Sequence, residues 1–70
     1  MAETITFGRA DGNYITLEQY DIISAFLPFF GTGRPVDMKY DREKGRIVIT
    51  DEEPDKIRKI LSERGYKELK

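Results

Sequence analysis

The sequence predicts an α+β fold: a two-layer sandwich in which a small mixed or antiparallel sheet carries two helices on one face, in the order β(β)αββα. Three observations lead there. Thr16 to Gly33 (TLEQYDIISAFLPFFGTG) has a capped start, a helical apolar pattern and glycines at its end. Pro35 to Thr50 holds an alternating segment, a reversal ending in Gly45 and the β-branched run Arg46-Ile47-Val48-Ile49-Thr50. Asp51 to Arg64 is a charged segment with one narrow apolar stripe. Seventy residues make one domain, 1–70, near the lower limit for folding alone.

Thr4-Ile5-Thr6-Phe7 alternates polar and apolar residues, so it reads as a short strand with Ile5 and Phe7 inward. Asp11-Gly12 is a two-residue turn signal of the type I′ kind. Pairing across it sets Arg9 opposite Tyr14 and Phe7 opposite Thr16, with a second strand at Asn13-Tyr14-Ile15. A loop over the same residues is the alternative.

Thr16 and Gln19 form a capping-box pattern, and Ile15 with Tyr20 forms a hydrophobic staple around it. Glu18 and Asp21 suit the positive end of the helix dipole. Pro28 has no N–H and presses on the carbonyl of Ser24. A helix is therefore expected from about residue 17 to 27, then a tighter turn through 28–31, with Gly31 or Gly33 as left-handed terminator. At about 100° per residue, Tyr20, Ile22, Ile23, Phe26, Leu27, Phe29 and Phe30 share an arc of about 180°. A one-sided helix needs a stripe only a little over about 100° wide. The surplus flank of Ile22 and Phe29, with Phe26 beside it, either wraps deeply into the core or stays exposed to meet a partner.

In the hairpin that follows, Val36, Met38 and Tyr40 face one way and Asp37 and Lys39 face water. Arg46–Thr50 reads as a central strand buried on both faces. Asp51 or Thr50 caps the last helix, Glu52 and Glu53 favour its dipole, and Pro54 is tolerated in its first turn. Ile57, Ile60 and Leu61 form its stripe. Gly65 ends it, Tyr66 folds back onto Leu61, and Lys67 to Lys70 adds an edge strand.

The inventory argues against an enzyme. With no histidine and no cysteine, the commonest general base, the commonest zinc ligand and any thiolate site are missing. Ser24 and Ser62 fall in predicted helices, and Glu52-Glu53 reads as a dipole pair, not an acid/base dyad. Gly31-Thr32-Gly33 lacks the lysine and following helix of a phosphate loop. No cofactor or metal is expected. No apolar run reaches the roughly 18 residues of a membrane span, and Met1-Ala2-Glu3 carries an acid where a signal peptide would be basic. The expected setting, for a natural chain, is cytoplasmic.

Net charge is −1, yet residues 34–50 lean basic through Arg34, Lys39, Arg42, Lys44 and Arg46. With Tyr40 among them these could serve nucleic acid, although Asp37, Asp41 and Glu43 interleave as ion-pair partners.

The order Phe30-Gly31-Thr32-Gly33-Arg34-Pro35-Val36, then Gly45-Arg46-Ile47-Val48-Ile49-Thr50-Asp51, then Asp55 to Tyr66 (DKIRKILSERGY) resembles the C-terminal half of the SUI1 family of translation-initiation factors. The resemblance implies a helix ending in a Gly-Thr-Gly turn, a hairpin and a closing charged helix. It also implies contact with the small ribosomal subunit through a basic first loop and a lysine-rich first helix. This chain offers only Arg9 in that loop and no cation in that helix.

The leading expectation is a non-enzymatic protein-interaction module, natural or engineered, anchored by Ile22, Phe26 and Phe29 on a protein partner or a second copy. The alternative is an RNA- or ribosome-contacting domain using the 34–46 cations.

Overall fold

The computed structural model describes residues 1–69. Alternation along Glu3–Arg9 makes it strand β1, with Ile5 and Phe7 buried. Helix α1 (Leu17–Phe26) leads into a π-helical turn (Leu27–Gly31). The hairpin β2 (Asp37–Asp41) and β3 (Arg46–Asp51) follows, then helix α2 (Pro54–Glu63) and strand β4 (Tyr66–Leu69).

The four strands form one antiparallel sheet in the order β2-β3-β1-β4. Register places Ile5 opposite Ile49 and Phe7 opposite Ile47, so these four side chains share one face. They meet Ile23 of α1, Leu27 of the π turn, and Ile57 and Leu61 of α2 in a single core. Both helices therefore cover the same face of the sheet, as the sequence predicts.

Three expectations are corrected. Asn13–Ile15 is not a strand. Both edges of β1 are taken, by β3 and β4, and Ile15 is buried instead, its N–H donating to Gly45 O at 2.9 Å. A type I′ turn needs positive φ at both central residues. Here Gly12 has φ 83°, and no non-glycine residue among those described is positive. Finally, β3 is central but not buried on both faces. Ile47 and Ile49 are buried, whereas Arg46, Val48 and Thr50 lie half-buried on a face without helices.

Asp51 is a further correction. It is the last residue of β3, not the cap of α2, and the cap position is taken by Glu53, whose side chain makes no capping bond. Asp51 Oδ1 accepts from the Glu53 N–H at 2.8 Å and so steers the chain into Pro54. The end of α2 follows expectation. Gly65 has φ 93°, and Tyr66 packs against the core. Arg58 ties α2 to the sheet by reaching Glu68 of β4 at 2.7 Å and Glu3 of β1 at 3.4 Å, and it also meets Asp55 at 2.6 Å.

The β2–β3 reversal rests on Gly45, at φ 63°. A Cβ there would lie 2.6 Å from the Tyr14 Cβ and 3.0 Å from its Cα. Left-handed strain and a backbone clash act together, so Gly45→Ala is expected to lower stability by about 1–2 kcal/mol. Urea melts followed by circular dichroism would measure it. An unchanged midpoint would mean that the Tyr14 segment moves aside freely.

Candidate protein-interaction surface

The start of α1 is fixed locally. Thr16 Oγ1 accepts from the Gln19 N–H at 3.1 Å, and Gln19 Oε1 accepts from the Thr16 N–H at 2.9 Å. The Tyr40 hydroxyl donates to Ile15 O at 2.6 Å, and its ring lies 5.3 Å from that of Tyr20. The helix is thus anchored to β2 before its apolar residues begin.

Its end departs from expectation. The turn through 28–31 is wider, not tighter: the Thr32 N–H donates to Leu27 O at 2.9 Å, five residues back. Pro28 is the physical reason. It has no N–H for the carbonyl of Ser24 and its ring crowds that carbonyl, so the ladder is interrupted there. A widened single turn of this kind resumes the bonding one residue later. Gly33, at φ 72°, then redirects the chain. Gly31 serves differently, since a Cβ on it would lie 3.0 Å from the Ile60 Cδ1 of α2. It lets the turn sit close on the second helix.

The wider turn changes which side chains face out. Leu27 is fully buried, but Phe29 is 81% exposed and Phe30 79%. Ile22, seven residues before Phe29, is 57% exposed. Phe26 lies between these and the core. It packs partly on the buried cluster, stacks on Phe30 with ring centroids 5.4 Å apart, and has the Arg64 guanidinium 3.7 Å above its ring centre. The three residues singled out from sequence thus lie on one helix-and-turn segment, two exposed and one as a half-buried base. Phe30 was missed as an exposed residue because a wheel at a constant 100° per residue carries the α-helical phase through a turn that is not α-helical. Pro28 was the available signal.

Below the surface, Thr32 Oγ1 accepts from the Arg34 N–H at 3.3 Å and donates to Arg34 O at 2.7 Å. The Arg34 guanidinium grips Asp51 through both oxygens, at 2.8 and 2.6 Å. This hydrogen-bonded guanidinium holds the buried Asp51 carboxyl well below its usual range, at about 2, against the opposing effect of burial. Arg34 itself is raised, chiefly by the same hydrogen bond to Asp51. The phenylalanine turn is therefore fastened to the sheet by a bidentate ion pair.

The cations considered for nucleic acid do not act as one stripe. Arg34 lies ahead of β2 and is committed to Asp51. Lys39 points from the helix-free face, opposite Val48. Arg42 and Lys44 are exposed in the reversal, and Arg46 pairs in register with Asp41 at the start of β3. The hydroxyls of Ser24 and Ser62 donate to the helix carbonyls of Asp21 and Lys59, each at 2.9 Å. Among the described residues no acidic cluster is arranged to hold a metal ion, and no helix is long and apolar enough to cross a membrane.

No known protein family, curated protein or solved structure matches the chain. Much of the resemblance of residues 30–66 to the SUI1 family rests on turn and capping residues.

Proposed function

We propose that this protein is a non-enzymatic interaction module, natural or engineered, that seats Phe29 and Phe30, flanked by Ile22 and based on Phe26, in an apolar groove of a protein partner. The observation that carries the reading is the pair of adjacent phenylalanines held almost fully in water on a turn pinned from beneath. A floppy loop could fold such rings back. This turn is fixed by the buried Leu27, by the close approach of Gly31 to Ile60 and by the Thr32–Arg34–Asp51 chain. Little ordering entropy then remains to be lost on binding.

Area favours a groove-bearing partner over self-association. Two phenylalanine rings at this exposure present roughly 300 Å² of apolar surface, and Ile22 adds to it. A stable symmetric dimer needs about 800 Å² from each copy. The patch supplies an anchor of the size that dominates a hetero-interface. Helix α1 also carries Glu18 and Asp21 without a cation, so two copies laid along it would bring like charges together.

A photo-crosslinking residue in place of Phe29 should give a discrete protein adduct. The same residue at Lys39, on the opposite face of the sheet, should not. Phe30→Asp together with Ile22→Asp should abolish the adduct while the circular dichroism spectrum is retained. Equal crosslinking from both positions would sink the reading. Light scattering over a wide concentration range separates the remaining outcome. A dimer that Phe29→Asp converts to monomer would assign the patch to a second copy.

A further inference from the structure

On the helix-free face, sheet register builds a row that the phenylalanine turn does not touch. Asp41 lies opposite Arg46, and Gly8 lies opposite Lys67. The Phe7–Ile47 pair one step earlier sets Gly8 next to Arg46 across β1 and β3. The row thus runs Asp41, Arg46, Gly8, Lys67. Gly8 has no side chain of its own between the two cations, and it is buried beneath the Leu69 side chain. A cleft of about 200 Å³ opens there, with Lys44, Arg9 and Tyr14 also on its walls. The Leu69 side chain forms its apolar wall, close enough to Gly8 that a Cβ there would come within 2.9 Å of its Cδ1.

The charges of this cleft are one-sided. Among the described residues four cations line it and no acid does. Arg9 is neutralised by Asp11, 2.5 Å away. Among the described residues Lys44, Arg46 and Lys67 have no ion-pair partner. Asp41, next in the row, spends Oδ1 on the Lys44 N–H at 3.2 Å. Three cations without an ion-pair contact converge on one cleft. The Asp41 carboxylate opposite Arg46 offsets only part of their charge, so a net positive potential remains in a chain of net charge −1. Beside it stands Tyr14, with 68% of its surface in water. Its backbone is braced against Gly45, so the ring is displayed from a fixed base.

We propose that this cleft binds a mononucleotide, with Arg46 and Lys67 on the phosphate oxygens, Lys44 closing from the rim and the base stacked on Tyr14. The inference is independent of the phenylalanine surface. Size supports it: the cleft is smaller than the roughly 300 Å³ of a pocket that swallows a whole ligand. It suits a phosphate and sugar, while the base lies outside on the aromatic ring. A nucleic-acid strand is the poorer fit. Successive phosphates need a track of unpaired cations, whereas Asp37, Asp41 and Glu43 flank these on the hairpin.

Titration of ¹⁵N-labelled protein with adenosine monophosphate, followed by amide shifts, tests the proposal. Saturable shifts are expected at Gly8, Tyr14, Gly45 and Lys67. Arg46→Gln should weaken binding about tenfold or more, as the loss of a charge-assisted phosphate contact does. Lys67→Gln, on the edge strand, should do the same and provides the test on a second folded chain. Tyr14→Ala should weaken adenosine monophosphate about tenfold but leave inorganic phosphate unchanged. Lys39→Gln, on the same face outside the cleft, should change neither. Absence of saturable shifts overturns the proposal. So does binding that survives Arg46→Gln and Lys67→Gln, or an oligonucleotide that engages these residues when adenosine monophosphate does not.

Discussion

Leu27→Ala is expected to cost about 3 kcal/mol of folding stability, whereas Phe29→Ala, two residues on, should cost less than about 0.5 kcal/mol. Leu27 is fully buried and joins α1, α2 and the sheet, so truncation leaves a cavity at the meeting point of all three. A chain of this length is expected to have a total stability of only about 4–10 kcal/mol. Leu27→Ala should therefore move the urea midpoint by a large fraction of its value. The Phe29 ring has 81% of its surface in water, and removing it forfeits little burial. The contrast within one turn separates the two roles that sequence alone left open for this segment. If Phe29→Ala destabilised the fold as much as Leu27→Ala, the ring would belong to the core and the proposed interaction surface would lose its main anchor.

What could be read from the sequence divides by range of interaction. The capping box at Thr16, the glycine ends at Gly33 and Gly65 and the alternation in β2 are set by neighbours a few residues apart, and each appears as expected. The fold class followed from these. The misses are non-local. Nothing near Asn13–Ile15 announces that β1 already has partners on both edges, because β4 arrives only after residue 65. Asp51 looks like a helix cap until Arg34, seventeen residues earlier, is folded against it. The exposed flank of α1 was legible in outline as a surplus of apolar residues. Its membership changed when Pro28 widened the turn and put Phe30 outside. The cleft beside Gly8 had no linear signature, since Arg9, Arg46 and Lys67 come from three strands and Lys44 from the β2–β3 reversal, and only the folded sheet brings them together.

Asp51→Ala is expected to cost about 2–3 kcal/mol near neutral pH, with a dependence on acidity that identifies the cause. The substitution leaves the Glu53 N–H without its acceptor and Arg34 without its carboxylate. Breaking a fully buried pair costs about 3–5 kcal/mol, and the figure is lowered here because water reaches the arginine. The Asp51 carboxyl titrates at about 2 in the fold against 3.8 ordinarily, so the folded protein holds this proton less readily than the unfolded chain. Its contribution is present in full above the ordinary value and is lost as pH falls toward the folded one. Asp51→Asn keeps the shape but not the charge. Thermal melts should show parent and Asp51→Asn separated near neutrality by about 1–2 kcal/mol, converging between about pH 4 and pH 2. A gap that stays constant through that window would mean that the charge of Asp51 contributes nothing. The same titration bears on the proposed surface, because Arg34 links Asp51 to Thr32 at the end of the phenylalanine turn. Crosslinking through position 29 should weaken over that acid window before the domain unfolds, and the asparagine variant should show the weakened level already at neutral pH.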